Sequence, residues 1–357
     1  MKKGWKIALI VVAVVLAFSA AIGGYVSGKL GKISYDDGKI QFEKNDDWEE
    51  YVQELERRII HGDDPDVENQ QQEMDDAIEK EQLEVVETPP ANPIPDLEIR
   101  SDENVINILL IGTDERTEGF SSFARGDSCM ILSLNKSTGR AKLVSLERGI
   151  GVPILEGQYK GYYDWLTHSF CYGGADLMMK EVRECFRIDV SHYIRVNFAT
   201  FKAGINAIGG VDIALTQAEA NYINNKVGEA KFTEGMNHLT GGPALHYARC
   251  RKIDSDWMRI KRQRTVIQAA INKTKGLSVS ELDNLLNEVL PLVRTNLSKN
   301  EIVELMALAP KFQGVTLEQM TIPASGTYGG MRGMGGRSLY AVDFYANAKI
   351  LQEFLYG

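Results

Sequence analysis

The chain has 357 residues, with 40 Lys and Arg against 49 Asp and Glu and a formal charge of −9. That length suits one α/β domain of roughly 250 residues with additional segments, and a 44% apolar content is that of a globular chain, not a disordered one. Four scattered cysteines with no C-x-x-C pair argue against a disulfide framework or a zinc site and leave buried free thiols as the expectation.

Residues 7–26, IALIVVAVVLAFSAAIGGYV, carry no charge and are long enough for about 30 Å of helix. Lys2, Lys3 and Lys6 precede the run, and Trp5 and Tyr25 flank it, as positive-inside and aromatic-belt signals require. The expectation is a single-pass cell-membrane protein. Residues 1–6 would be its cytoplasmic tail, 7–26 its transmembrane helix, and the rest extracytoplasmic. Lys29 and Lys32 on the far side partly counter that orientation. A cleaved signal peptide is the alternative, although its apolar core would be nearer about 7–15 residues.

Residues 33–103 hold 24 Asp and Glu against 6 Lys and Arg, so the remainder of the chain is net basic. Residues 27–103 read as an acidic spacer ending in TPPANPIPDLE, an extended proline-rich connector. Trp48, Tyr51, Val52, Leu55 and Ile59 keep helical spacing and predict a short amphipathic helix within it. The spacer otherwise reads as a solvated stalk, with a docking segment for a partner as the alternative.

Beyond it, NVINILLIG (104–112) predicts a buried strand, and DSCMILSLN (127–135) and RAKLVSLE (140–147) predict two more joined by a KSTG turn. GGADLMMKEVRECF has helical spacing, with Leu177, Met178, Val182 and Phe186 on one side. HYIRVNF and VDIAL predict strands, and ATFKAGINAIGG a helix ended by Gly209 and Gly210. SDWMRIKRQRTVIQAAINKTKG predicts a long helix closing at Gly276, and capping boxes follow at Ser278–Glu281 and Ser298–Glu301. The glycine-rich GTYGGMRGMGGRS near the C-terminus reads as a flexible surface loop or a polymer-contacting flap. The alternation predicts a three-layer α/β/α sandwich with a central mixed sheet over 104–357.

Candidate chemistry gathers in two stretches. Asp114 lies just past the end of the first strand, where open α/β sheets build their sites. Arg125 and Asp127 open the next strand at i, i+2, on one face of extended backbone. A structural ion-pair cluster would explain these three. So would two carboxylates holding a hard cation such as Mg²⁺ beside a phosphate gripped by the arginine. HYARCRKIDSDWMRIKRQ then packs Arg249, Arg251, Arg259 and Arg262 into fourteen residues. On extended backbone Arg249 and Arg251 project together and repel unless an anion, a carboxylate pair or a pyrophosphate, lies between them. Arg259 and Gln263 stack at i, i+4 on the stripe that continues into Val266 and Ala270. That stripe suits a cleft polar at its mouth and apolar further in; an i, i+3 pair of Arg259 with Asp256 is the plainer alternative. Nucleic acid is a poor partner, because the basic segments lack interleaved aromatics and the acidic spacer would repel a polyanion.

LLIGTDER…ARGDS, VSLER, LTHSFCYGGADL, INAIGGVDI and LTGGPALHYARCRKIDSDWMRIKRQ occur in this order and resemble the LytR-CpsA-Psr family over roughly residues 105–275. The resemblance implies a bacterial, membrane-anchored, Mg²⁺-dependent phosphotransferase. Such an enzyme moves a glycopolymer phosphate from a polyprenyl-pyrophosphate carrier to a cell-wall hydroxyl, typically on peptidoglycan; teichoic acid and capsule are both open as the polymer. It implies that Asp114 and Asp127 bind the metal and that Arg125, Arg249 and Arg251 contact the pyrophosphate. Arg148, with Arg259 and Gln263, would line the headgroup end of a lipid pocket. Family members commonly read Pro-Arg-Asp where this chain has Glu147-Arg148-Gly149, so Arg148 is expected to lack an orienting carboxylate, with Glu147 on the opposite side of the strand. A pyrophosphatase acting on the same carrier, and a catalytically weak carrier-binding scaffold or sensor, are the rival readings.

Overall fold

The structure, a computed structural model, describes residues 30–40, 45–60, 64–87, 89–90, 93–115, 124–274, 287, 289–312 and 315–357. The apolar run 7–26 and the Ser278–Glu281 pattern lie outside these residues. Among the described residues no helix is long and apolar enough to cross a membrane.

In chain order the acidic segment gives β1 (Ser34–Tyr35), α1 (Asn45–Leu55), α2 (Pro65–Lys80) and β2 (Val85–Val86). The apolar runs follow as β3 (Val105–Gly112), β4 (Ser128–Asn135) and β5 (Ala141–Leu146), then β6 (Gly151–Pro153), β7 (Tyr163–Trp165), α3 (Ser169–Phe186) and β8 (His192–Val196). Next come α4 (Phe198–Ala207), β9 (Val211–Leu215), α5 (Gln217–Val227), β10 (Gly235–Leu239), α6 (Gly241–Ala248) and α7 (Asp256–Thr274). The chain ends with β11 (Arg294–Thr295), α8 (Lys299–Phe312), β12 (Glu318–Ile322), β13 (Tyr328–Arg332), β14 (Ser338–Val342) and α9 (Phe344–Tyr356).

Seven strands form the central sheet in the order β1-β11-β8-β3-β4-β5-β12. It is mixed: β3–β4 and β4–β5 are antiparallel, while β3–β8 and β5–β12 are parallel. Alternate residues serve opposite faces, as a pleated strand requires. Ile108, Leu110, Met130 and Leu132 pack under Phe201, Ile205, Leu245 and Val266 of α4, α6 and α7. Leu109, Ile111, Ile131 and Val144 pack under Met178, Val182 and Phe186 of α3 and Leu351 of α9. VDIAL does form a strand, β9, but it pairs with β10 in a separate hairpin; Val211, Ile213 and Leu215 are buried and Asp212 and Ala214 exposed. The Ser298–Glu301 capping box is present, with both reciprocal hydrogen bonds. All four cysteines are buried and unpaired.

Two expectations are corrected. The acidic segment is no solvated stalk over its described residues. β1 extends the central sheet beside β11, and Tyr51, Leu55 and Ile59 are buried in a third core with Met74, Trp165 and Leu339. Asp64 caps α2, Pro65 opens it, and Val67, Gln70, Met74 and Ile78 form its buried stripe. A charge count over 33–103 hides that stripe because the acids sit on the other faces of the same helix. The glycine-rich C-terminal stretch is likewise no flexible loop: it forms the β13–β14 hairpin, with β2 parallel to β13.

Candidate functional site

Strand register brings the expected residues to one end of the sheet. Gly112 at the end of β3 pairs with Ser128 at the start of β4, and Cys129 pairs with Leu146 at the end of β5. Asp114, Arg125, Asp127 and Arg148 therefore all leave the sheet at the same edge. The Thr113 amide bonds Val196 O at 2.9 Å, which brings the end of β8, and Phe198 behind it, to that edge too.

Asp114 accepts from the Arg125 backbone amide at 2.9 Å, from Nε at 3.0 Å and from Nη2 at 2.6 Å. Asp127 Oδ1 stands 4.0 Å from Arg125 Nε. The ion-pair reading of this triad is thus met for Asp114, while Arg125 Nη1, also buried, has no hydrogen-bond partner among the described residues. Burial pushes the Asp114 carboxyl up; Arg125 opposes this, and the charge of Asp127 adds to it. The two carboxylates feel each other across the arginine.

Arg148 emerges just after β5 and is buried. Its Nε lies 3.3 Å from Asp256 Oδ1, its Nη1 donates to Gln70 Oε1 at 3.3 Å, and its Nη2 donates to Glu73. The expectation that Gly149 leaves Arg148 without an orienting carboxylate is corrected: Asp256, from the first turn of α7, and Glu73, from α2, both hold it. Glu147 also takes part. Burial, then the charge of Asp256, pushes its carboxyl well above the usual range, and it hydrogen-bonds Asp256. Burial would raise Asp256 as well, but Arg259 and Arg148 hold it well below the usual carboxylate range. The Glu147 carboxyl itself accepts from the Gly149 backbone amide.

The arginine stretch is not extended as expected. Arg249 caps the C-terminus of α6 with helical backbone angles, and Arg251 follows in an irregular link. Both still reach one cavity of about 30 Å³, lined by Asp127, Phe198, Leu245, Ala248, Arg249, Arg251, Arg259 and Gln263. The Arg249 guanidinium lies 5.3 Å from the centroid of the Phe198 ring, a cation–π distance. Arg251 Nη1 is 3.0 Å from Glu73 Oε2. Arg259 makes the i, i+3 pair with Asp256, Nε to Oδ1 at 2.9 Å. Arg262 stands apart: it bonds Glu219 at 2.6 Å and Cys250 O at 2.9 Å, and so splints the link that carries Arg249 and Arg251. Burial, followed by repulsion from Arg148 and Arg259, drives Arg251 down to about 10. A guanidinium does not deprotonate in a protein, so Arg251 remains a buried cation beside two others.

No group of three His, Cys, Asp or Glu side chains among the described residues could hold a metal alone. The carboxylates that would hold Mg²⁺, a hard cation commonly bound through one or two of them with waters and substrate phosphates completing its shell, are Asp114 and Asp127. Sequence reasoning missed Asp66, Gln70 and Glu73, which reach the same arginines from α2. The signal was available in the D-P helix start and the three- to four-residue spacing of 66, 70 and 73.

Clustered buried guanidiniums and carboxylates at one end of a mixed sheet define an α/β protein with a charged site at its strand ends. The chain belongs to the LytR_cpsA_psr family, whose model matches residues 65–353. It is 34% identical over 203 residues to the polyisoprenyl-teichoic acid–peptidoglycan teichoic acid transferase TagU of Bacillus mycoides strain KBAB4, covering 56% of this chain and 63% of that protein. It is 30% identical over 221 residues to the transferase TagT of Bacillus subtilis strain 168, covering 60% and 67%. A solved structure of TagT bound to LIIa-WTA matches with a TM-score of 0.56 and 26% identity, over 76% of this chain and 99% of that one. The matched region spans just under two thirds of the TagU relative.

Proposed function

We propose that the chain is a phosphotransferase that moves a glycopolymer phosphate from a polyprenyl-pyrophosphate carrier to a hydroxyl of peptidoglycan. The observation that carries this reading is the shared cavity of Asp127, Arg249, Arg251, Arg259 and Gln263, flanked by Arg125 and Arg148. The names of the TagU and TagT relatives support it. An acceptor hydroxyl attacks the sugar-linked phosphorus in line, and polyprenyl phosphate leaves. Arg249 and Arg251 grip the phosphates, and Arg125 and Arg148 face the charge that builds on the equatorial oxygens. Because these groups are buried and already oriented, they need no reorganisation when that charge develops. Arg259 and Gln263 take the headgroup, and Phe198, Leu245 and Ala248 offer apolar wall to the first isoprene units. Asp114 and Asp127 would hold Mg²⁺, which neutralises phosphate charge when bound. Residues 7–26 would anchor the enzyme, with the N-terminus cytoplasmic and the domain outside.

The departure at Gly149 favours a lapsed enzyme, and the carboxylate of Asp256, 3.3 Å from Arg148 Nε, supports an active one. The test is incubation of the chain with lipid-linked glycopolymer, peptidoglycan and Mg²⁺. Covalent transfer to peptidoglycan is expected. Release of free polymer phosphate alone would make it a pyrophosphatase, and binding without turnover a scaffold.

A further inference from the structure

Helix α2 lays one polar face on the arginines assigned to the phosphates. Asp66 Oδ2 is 3.4 Å from Arg125 Nη2, and Gln70 Oε1 accepts from Arg148 Nη1 at 3.3 Å. Glu73 Oε2 takes Arg148 Nη2 and, at 3.0 Å, Arg251 Nη1 together. One anionic oxygen shared by two guanidiniums is the contact a phosphate oxygen would make. Glu73 thereby takes donors of Arg148 and of Arg251, the latter on the cavity wall, that a phosphate of the carrier would otherwise use.

The helix is seated by the buried side chains of Val67, Met74 and Ile78 and tied by Asp75 to Arg332 at 3.2 Å. Gly149 permits this approach, since a Cβ there would lie 2.8 Å from Met74 Cε and overlap its sulfur.

We propose that α2 is an acidic occluder of the anion site: Glu73 stands in for a substrate phosphate, and α2 gives way when the carrier pyrophosphate binds. This rests on the anion-site reading above. A single, partly exposed carboxylate is a weaker guanidinium ligand than a pyrophosphate, so the substrate can displace it, and its apparent affinity falls by the fraction of molecules in which α2 is seated.

The experiment uses the full chain and titrates geranyl pyrophosphate into wild type, Glu73→Gln, Glu79→Gln and Arg251→Lys. Glu79 is exposed on the same helix and carries the same charge, so it controls for long-range repulsion. Glu73→Gln is expected to tighten binding by about ten-fold, in line with the loss of one charge-assisted competitor, and Glu79→Gln by less than about two-fold. Hydrogen exchange over 65–80 in wild type is expected to speed up on saturation with the ligand. Equal effects of the two Gln variants would reduce the contact to bulk charge and overturn the proposal. Weaker or unchanged binding in Glu73→Gln would make Glu73 a positioning residue for Arg148, and would overturn it too. Undiminished binding in Arg251→Lys would instead bring down the anion-site reading, and the occluder with it.

Discussion

Asp114 and Asp127 share a chemistry and differ in their attachments. Asp114 takes three hydrogen bonds from Arg125, so Asp114→Asn leaves a buried guanidinium without its main partner. Removing one partner of a buried pair costs about 3–5 kcal/mol. The lower part of that range is expected here, because Asp66 lies 3.4 Å away, and urea denaturation would read it. Asp127 stands on the cavity wall, 4.0 Å from the same arginine. Asp127→Asn should lose the response of turnover to Mg²⁺; a wild-type Mg²⁺ titration in that variant removes Asp127 from the metal. Glu181 offers a test away from the site. Burial pushes its carboxyl from 4.5 up to about 8, although Ser169 donates to it. The folded chain thus keeps a proton that the unfolded chain releases, so this stability is present below pH 4.5 and lost as pH rises through about 8. The slope is at most about 1.4 kcal/mol per pH unit. Glu181→Gln should flatten the fall of Tm between pH 5 and pH 8, and an unchanged slope would show that another group titrates there.

At the scale of elements, apolar patterning was legible where it was dense and lost where charge covered it. NVINILLIG and DSCMILSLN became β3 and β4 because every second residue has a core to enter. α2 was missed because a stripe of only Val67, Met74 and Ile78, with Gln70 among them, lies within a strongly acidic segment. The backbone at Arg249 was misread as extended because alternation cannot see a helix C-cap; the cavity placement survived because Arg262 fixes the link. Glycine at 149 looked like a lost carboxylate, and the packing of α2 explains it. Gly149→Ala should cost about 1 kcal/mol, the low end for overpacking, because the atoms it meets are the flexible end of Met74. That cost should shrink in a Met74→Ala background, because the clash is with Met74. A double-mutant cycle reads the coupling, and additive effects would mean that Gly149 and α2 are independent.

For the whole molecule, the sheet end was legible because strand termini and charged residues alternate in sequence, and register then brings them together. The carboxylates of α2 were not, since their contact with Arg148 and Arg251 joins positions 75 and 178 residues apart, and no local pattern records such a pairing. The anchor proposal predicts that residues 7–26 remain in the mature protein and that protease added to intact cells cuts beyond residue 33; a mature N-terminus near residue 25 would mean secretion. The central claim is that the arginine wall is a pyrophosphate site. The most direct measurement is polyprenyl-pyrophosphate affinity and Tm on the same preparations of wild type and Arg251→Lys. The lysine keeps the charge and loses the planar fork. Its one ion pair among the described residues is with Glu73, which is partly exposed, and a lysine keeps the charge, so little stability is at stake. The account predicts binding weaker by roughly 10- to 100-fold with Tm nearly unchanged. Unchanged affinity with a large fall in Tm would contradict it.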